Sequence, residues 1–355
     1  MKALKLYGNR DIRFEDAEEP VIQSEDDVLI QVKACGICGS DTSRYTKLEP
    51  HSPGQIWGHE FSGVVEAVGI NVTNVQVGDH IAGCPALIDE DDDYYKAGQP
   101  ARADSLQAIG AIEPGGFAEY ITLPSRNVVK VPKELDFDAA AMVEPSTVVL
   151  HGYYQTKLTA GDDVVITGAG GTIGLFAVQW AKIFGAKKVI AIDIDDQKLE
   201  TAKSLGADYT INSLHEDVLD KVSKYTGGMN ADIVVEAAGS PITAATVFGY
   251  AKKGGGVLFL GIPYADISME RFYFEKILRS ELTVWGSWSC VSAPFPGKEW
   301  HTTVHFMNNK RLNTEKMITH RVDLQDGPEI FEKLAEKLET FGKVIMYPEG
   351  ERVSE

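Results

Sequence analysis

The stretch Val164-Val165-Ile166-Thr167-Gly168-Ala169-Gly170-Gly171-Thr172-Ile173-Gly174 decides how this chain is read. An apolar β-branched run predicts a buried strand, and residues 175–184 behind the glycines read as a helix. Glycine permits a tight turn and lets the backbone approach a pyrophosphate. The helix N-terminus adds free N–H groups and a positive dipole end. Gly168, Gly170 and Ile173 match the dinucleotide pattern G-x-G-x-x-G only in part, whereas Gly168, Gly171 and Gly174 match G-x-x-G-x-x-G. The loop reads as one residue longer than the common form, and Gly168, Gly170, Gly171, Thr172, Ile173 and Gly174 are expected at the cofactor. The next strand, residues 189–192, ends at Asp193, nineteen residues beyond Gly174. A carboxylate there can accept both ribose hydroxyls and repels a 2′-phosphate, which favours NAD over NADP.

Outward from this turn, residues 198–205 read as a second helix, and 233–235 and 257–260 as further strands. Alternation of buried strands with helices predicts a parallel α/β sheet. Upstream, residues 1–145 read as short strands and turns. Val28, Ile30, Val32 and Ala34 alternate with mostly polar neighbours, a half-buried strand. Residues 64–68 and 127–131 read alike. Residues 89–104, which carry five consecutive acidic side chains, read as a surface loop. After about residue 292 the alternation fades, and Gly342-Lys343-Val344-Ile345-Met346 reads as a strand returning to the first domain. The expected division is 1–146, 147–292 and a return over 293–355.

The first domain carries a ligand set. Cys38 lies in Gly36-Ile37-Cys38-Gly39-Ser40-Asp41, and His59 and Glu60 lie in Gly58-His59-Glu60-Phe61-Ser62-Gly63. Glu144 adds a second carboxylate. Sulfur, nitrogen and oxygen donors with a position left open make a catalytic zinc set. A Lewis-acidic metal lowers the pKa of a substrate hydroxyl, so that hydride can leave to a nicotinamide. Cys35 and Cys38 form a C-x-x-C pair, but no thioredoxin-like unit surrounds it, so Cys35 reads as a packing residue. Cys84 and Cys290 read as buried and inert.

Bulk composition narrows the function classes. The chain has 355 residues, 44% hydrophobic and 24% charged, which is ordinary for a two-domain globular protein. Four cysteines make no disulfide framework and fit a reducing, cytoplasmic setting. The N-terminal residues turn polar too soon for a signal peptide, and no apolar run suggests a membrane span. The net charge of −18 argues against nucleic acid and anionic membrane as partners. It also means that a phosphorylated substrate would need a local basic clamp.

With these motifs in place, the sequence resembles the zinc-dependent medium-chain alcohol and polyol dehydrogenases. Besides the two metal segments, the matches are Gly63, Val65, Val68 and Gly69, then Val77-Gly78-Asp79, Gly115-Gly116-Phe117-Ala118-Glu119-Tyr120 and Glu144-Pro145. The resemblance implies an α/β fold: a doubly wound Rossmann sheet plus a GroES-like, mostly-β catalytic domain. Glutamate at 144 resembles the sorbitol dehydrogenase branch, in which Cys38, His59 and Glu60 would hold zinc with Glu144 nearby or exchanging. Residues 276–279, 281–288 and 296–300 resemble the sugar-alcohol-phosphate dehydrogenases, those of galactitol 1-phosphate among them. Without the family, residues 285–288 read as strand and core.

The resemblance implies oxidation of a secondary alcohol of a polyol phosphate, with Arg44 as phosphate contact and Ser40 passing the proton toward solvent. Alternatives are an arabitol phosphate, or an unphosphorylated polyol or diol such as sorbitol or butanediol. A metal-free, quinone-reductase-like or binding member of the fold is a reading of a different class. The cysteines of the family's structural zinc would fall at Asp89, Asp92, Tyr95 and Ala103, so one zinc is expected and no structural zinc. Ser43 stands where many members place a relay histidine. A homodimer or homotetramer is expected.

Overall fold

The computed structural model describes residues 1–348. The described chain divides into two compact units, one of Met1–Thr147, Cys290–Lys310 and 318–348, the other of Val148–Ser289 and Arg311–Met317. Against the expected division, the return begins at Cys290 rather than 293, and Arg311–Met317 goes to the second unit. A two-way amide clamp holds that segment there. Gln179 Nε2 donates to Asn313 O at 3.2 Å, and Asn313 N donates to Gln179 Oε1 at 2.7 Å. Residues 349–355 of the expected return lie outside the described residues.

The second unit is a six-stranded parallel sheet in the order Tyr209–Asn212, Lys188–Asp193, Asp163–Thr167, Ala231–Glu236, Ala251–Phe259, Thr283–Gly286. Numbered along the chain, this is the doubly wound order 3-2-1-4-5-6, with its crevice where the winding reverses, beside Asp163–Thr167 and Ala231–Glu236. Every residue of Asp163–Thr167 is buried, as a central strand covered on both faces requires. The helix Thr172–Ile183 behind it is buried from Gly174 to Ala181, and Gln179 is the polar side chain in that buried run. Thr283–Gly286 forms the sheet edge, so the core expected around residues 285–288 is absent: Trp285 is half-buried and Trp288 is 58% exposed.

The first unit is built on a seven-stranded, mostly antiparallel sheet around Asp27–Gly36. Val28, Ile30, Val32 and Ala34 are fully buried, so the predicted alternation is the observed one. Two neighbours fix the end of this strand: Gly36 pairs with Glu60 of Glu60–Val68 and with Ile345 of Lys343–Tyr347. Three strands distant in sequence therefore meet where Cys38 follows. The segment 89–104, expected as a surface loop, is mostly exposed. It contains the helix Asp93–Lys96 and a 3₁₀ turn, Pro100–Arg102. Among the described residues no helix is long and apolar enough to cross a membrane.

Candidate active site

Cys38 caps the short helix Gly39–Ser43 in extended conformation, and its backbone N–H donates to Asp41 Oδ2 at 2.9 Å. His59 leaves a backbone that only glycine tolerates. Gly58 has φ +96°, and a Cβ there would stand 2.6 Å from the Phe117 ring and 2.8 Å from Cys35 Sγ. Glu60 begins the next strand, 1% exposed. One donor atom each from Cys38, His59 and Glu60 lies within 4.8 Å of the others, the one such group among the described residues. Glu144, expected as a further or exchanging ligand, is buried in the first turn of Val143–Gln155 and lies outside that 4.8 Å group. No such group forms at Asp89 and Asp92.

Two partners of this trio had no role in the sequence reading. Asp41 is 1% exposed and places Oδ1 3.7 Å from His59 Nδ1. Burial pushes the Asp41 carboxyl up to about 6, against the pull of His59 and the Cys38 N–H. Burial depresses His59, but Asp41, Cys38 and Glu144 together hold its pKa well above the ordinary imidazole range. Lys343 is 2% exposed, with Nζ bonded to Glu60 Oε2 and to Ile37 O. Desolvation works against its charge, and Glu60 and Cys38 outweigh it, so its pKa is raised. A lysine in an apolar strand is a legible warning, because a buried ammonium needs a partner. Gly36 makes room for the pair: a Cβ there would stand 2.5 Å from Glu60 Oε2.

This pocket of donors suits a divalent cation. Asp41, Glu60, Glu144 and the Cys38 thiol crowd one buried region, and Glu144 is raised well above the carboxylate range by burial and then by Cys290. A divalent cation there would supply the positive charge that favours the ionised forms of these ligands. Cys35 cannot join as a thiolate, because burial raises its pKa far above normal. All four cysteines are free.

The remaining predicted residues of this unit are placed as follows. Ser40 is exposed in the first turn after Cys38. Arg44 opens a π-helical turn, donates from Nη1 to Glu49 O at 3.1 Å, and lies 5.7 Å from the Trp57 ring centroid. Among the described residues it makes no ion pair. At the former cysteine positions, Asp92 caps its helix through Tyr94 N and Tyr95 N and accepts from Ser105 N and Oγ. One carboxylate thus ties together the segment expected to lack a metal.

In the other unit, the glycine turn sorts its glycines by crowding. Gly168 has φ +66° and touches Ala238; a Cβ on Gly170 would stand 2.3 Å from Lys198 Cβ; a Cβ on Gly174 would stand 2.2 Å from Gly168 O. Gly171 caps the helix in open space, with Gly168 O at 3.5 Å from its notional Cβ. The sterically required glycines are therefore Gly168, Gly170 and Gly174, not the regular triplet ending on Gly171 and Gly174. Thr172 and Ile173 supply first-turn N–H groups beside Gly174. Asp193 Oδ2 accepts from Gly170 N at 2.8 Å and Oδ1 from Ile194 N at 2.8 Å, which fixes its carboxylate at the strand end.

A metal trio on a GroES-like unit and a dinucleotide turn on a doubly wound sheet are a specific combination. Residues 24–133 match the alcohol dehydrogenase GroES-like domain, and residues 172–309 match the zinc-binding dehydrogenase model. Galactitol 1-phosphate 5-dehydrogenase of Escherichia coli is 34% identical over 337 residues, covering 95% of this chain and 97% of that protein. The chain belongs to the zinc-dependent medium-chain alcohol and polyol dehydrogenases. Sorbitol dehydrogenase of Bacillus subtilis is 30% identical over 98% of this chain and 97% of its own length. The crystal structure of galactitol-1-phosphate dehydrogenase from Escherichia coli superposes with a TM-score of 0.93 at 34% identity, covering 98% of this chain and all of that one. As a member of this family the protein is an oxidoreductase of the alcohol and polyol dehydrogenase type, a zinc and nicotinamide enzyme.

Proposed function

We propose that the protein oxidises a secondary hydroxyl of a sugar-alcohol phosphate, similar to galactitol 1-phosphate, to a ketose phosphate, with NAD as hydride acceptor. The observation that carries this reading is the Cys38, His59, Glu60 trio in a chain whose likeness to the galactitol 1-phosphate enzyme spans nearly its full length. Zinc held there supplies Lewis acidity to the substrate hydroxyl. Asp41 orients the His59 ring, Lys343 holds Glu60, and Glu144 remains as a carboxyl close enough to exchange. Ser40 is the outlet for the substrate proton, being exposed two residues after Cys38. Arg44 contacts the phosphate: among the described residues its guanidinium has no carboxylate partner, and it offers a bidentate fork.

One zinc is bound per chain, because Asp92 takes over the bracing of residues 89–104 by hydrogen bonds. NAD is used in preference to NADP because the Asp193 carboxylate, fixed at the end of the second strand of the sheet, would repel a 2′-phosphate. The enzyme acts in the cytoplasm as a homodimer or homotetramer. Thr283–Gly286 is an open sheet edge, and Phe272, Phe274, Leu278 and Val284 are exposed on it and on the helix before it, a surface that favours self-association.

The test is a panel of polyols and their phosphates assayed with NAD and NADP, with Arg44→Ala beside the parent. A phosphate contact predicts that Arg44→Ala lowers kcat/KM for the phosphorylated substrate by about tenfold or more relative to its unphosphorylated parent. Equal losses for both would remove Arg44 from phosphate recognition. Sedimentation at micromolar concentration checks the assembly.

A further inference from the structure

The strand Ala231–Glu236 ends at the sheet's switch point on a buried acid that the hydride chemistry leaves unused. Glu236 is fully buried. Its Oε1 accepts from Ala238 N at 3.0 Å, Gly239 N at 3.2 Å and Thr243 Oγ1 at 2.7 Å. Its backbone O accepts from Leu260 N at 2.9 Å and Gly261 N at 3.0 Å. One residue thus holds the loop after its own strand and the loop after Ala251–Phe259. The two loops press together: a Cβ on Gly261 would stand 2.3 Å from Gly239 N and 2.5 Å from Glu236 Oε2. On its other side, Ala238 braces the dinucleotide turn, since a Cβ on Gly168 would stand 2.5 Å from Ala238 Cα.

Burial raises the Glu236 carboxyl, so holding a charge there costs stability near neutral pH. An apolar residue would avoid that cost but would leave the Ala238 and Gly239 N–H groups unmet. In a doubly wound sheet, ligands bind outside the carboxyl ends of the strands at the switch point, where these loops form the rim. We propose that Glu236 is a positioning residue for the nicotinamide cofactor: it fixes residues 237–240 and the Gly261 turn as a preformed rim against Gly168, so that cofactor binding has little backbone left to order. This rests on the nicotinamide-enzyme reading of the family.

The experiment titrates zinc-loaded protein and its Glu236→Gln and Thr243→Val variants with NADH and NADPH, followed by cofactor fluorescence, with amide exchange on residues 237–240. Glu236→Gln keeps the volume and one acceptor oxygen but replaces Oε2, which accepts from Gly239 N at 3.3 Å, by an amide N–H that opposes that donor. The expected result is a Kd for the preferred cofactor about tenfold higher in Glu236→Gln and a few-fold higher in Thr243→Val. Amide protection at Ala238 and Gly239 should fall in the same order, and cofactor KM should rise by more than kcat drops. Unchanged cofactor affinity with faster exchange, or with lowered stability alone, would overturn the inference and leave Glu236 as a fold residue. If Glu236→Gln does not fold, Thr243→Val decides by the same readouts. A parent protein that binds neither cofactor would instead refute the cofactor reading itself.

Discussion

Replacing Lys343 by methionine separates two roles for Glu60. The side chains of Lys343 and Glu60 are buried to within 1% and 2% of full coverage, and Lys343 Nζ also donates to Ile37 O at 2.9 Å. Methionine keeps most of the stem volume and removes the charge, leaving a buried carboxylate without its cation. Breaking one side of a buried pair costs about 3–5 kcal/mol. Metal-free Lys343→Met should lose stability on that scale in chemical unfolding. If Glu60 is a ligand, a divalent cation restores a counter-charge to it, so zinc recovers part of the loss. By linkage, whatever stability zinc recovers appears as tighter zinc binding by the same free energy. Recovery of only about 1.4 kcal/mol corresponds to a tenfold lower Kd. Loss of a nearby positive charge pushes in the same direction. The assay is zinc competition against a chromophoric chelator, with folding checked by circular dichroism. A folded, destabilised Lys343→Met with unchanged or weaker zinc affinity would refute the sharing of Glu60 between lysine and metal. Glu60 would then be only the partner of Lys343.

Elemental analysis of the purified protein should give one zinc per chain, and a chelator that removes it should abolish oxidation; two per chain would reject the hydrogen-bonded replacement at Asp92. Asp92→Ala, which leaves four donors unmet, should speed proteolysis within residues 89–104, as mapped by mass spectrometry of limited digests. Asp193→Asn should raise the NADP-to-NAD ratio of kcat/KM by about tenfold, since it removes the charge that repels a 2′-phosphate while keeping an acceptor. For Asp79, burial alone would raise the pKa, but Lys130 and the Gln76 N–H outweigh it and the net shift is downward. Its stabilising contribution is therefore present above the ordinary carboxylate pKa and is lost as pH falls through the lower folded value. Asp79→Asn should be destabilised at pH 7, with the gap to the parent closing below about pH 4 in pH-dependent unfolding.

What could be read from the sequence was whatever short-range pattern determines. The strand of Val28, Ile30, Val32 and Ala34 follows from alternation, because one face is buried along its whole length. The doubly wound sheet follows from apolar strands alternating with helices, and the trio follows because Cys38, His59 and Glu60 sit in segments whose donor chemistry needs no further context. The rest depended on contacts that local pattern does not encode. Glycine counting preferred a regular triplet through Gly171, yet Gly170 is the crowded position, and Lys198, from the following helix, is what crowds it. Lys343 reaches Glu60 across 283 residues of chain, through a register that pairs Gly36 with both Glu60 and Ile345. Arg311–Met317 joins the second unit because one glutamine amide on a distant helix is satisfied by it. Trp288 misleads by composition alone: strand-like and aromatic, it predicts a core, but it follows the edge strand. For Gly170, Lys343 and Arg311–Met317 the deciding atom belongs to a residue remote in sequence. Asp41 differs, because it lies three residues from Cys38, inside the quoted motif. Its role was missed because helix-capping geometry points its carboxylate back at the Cys38 N–H, and the other oxygen is thereby turned toward His59.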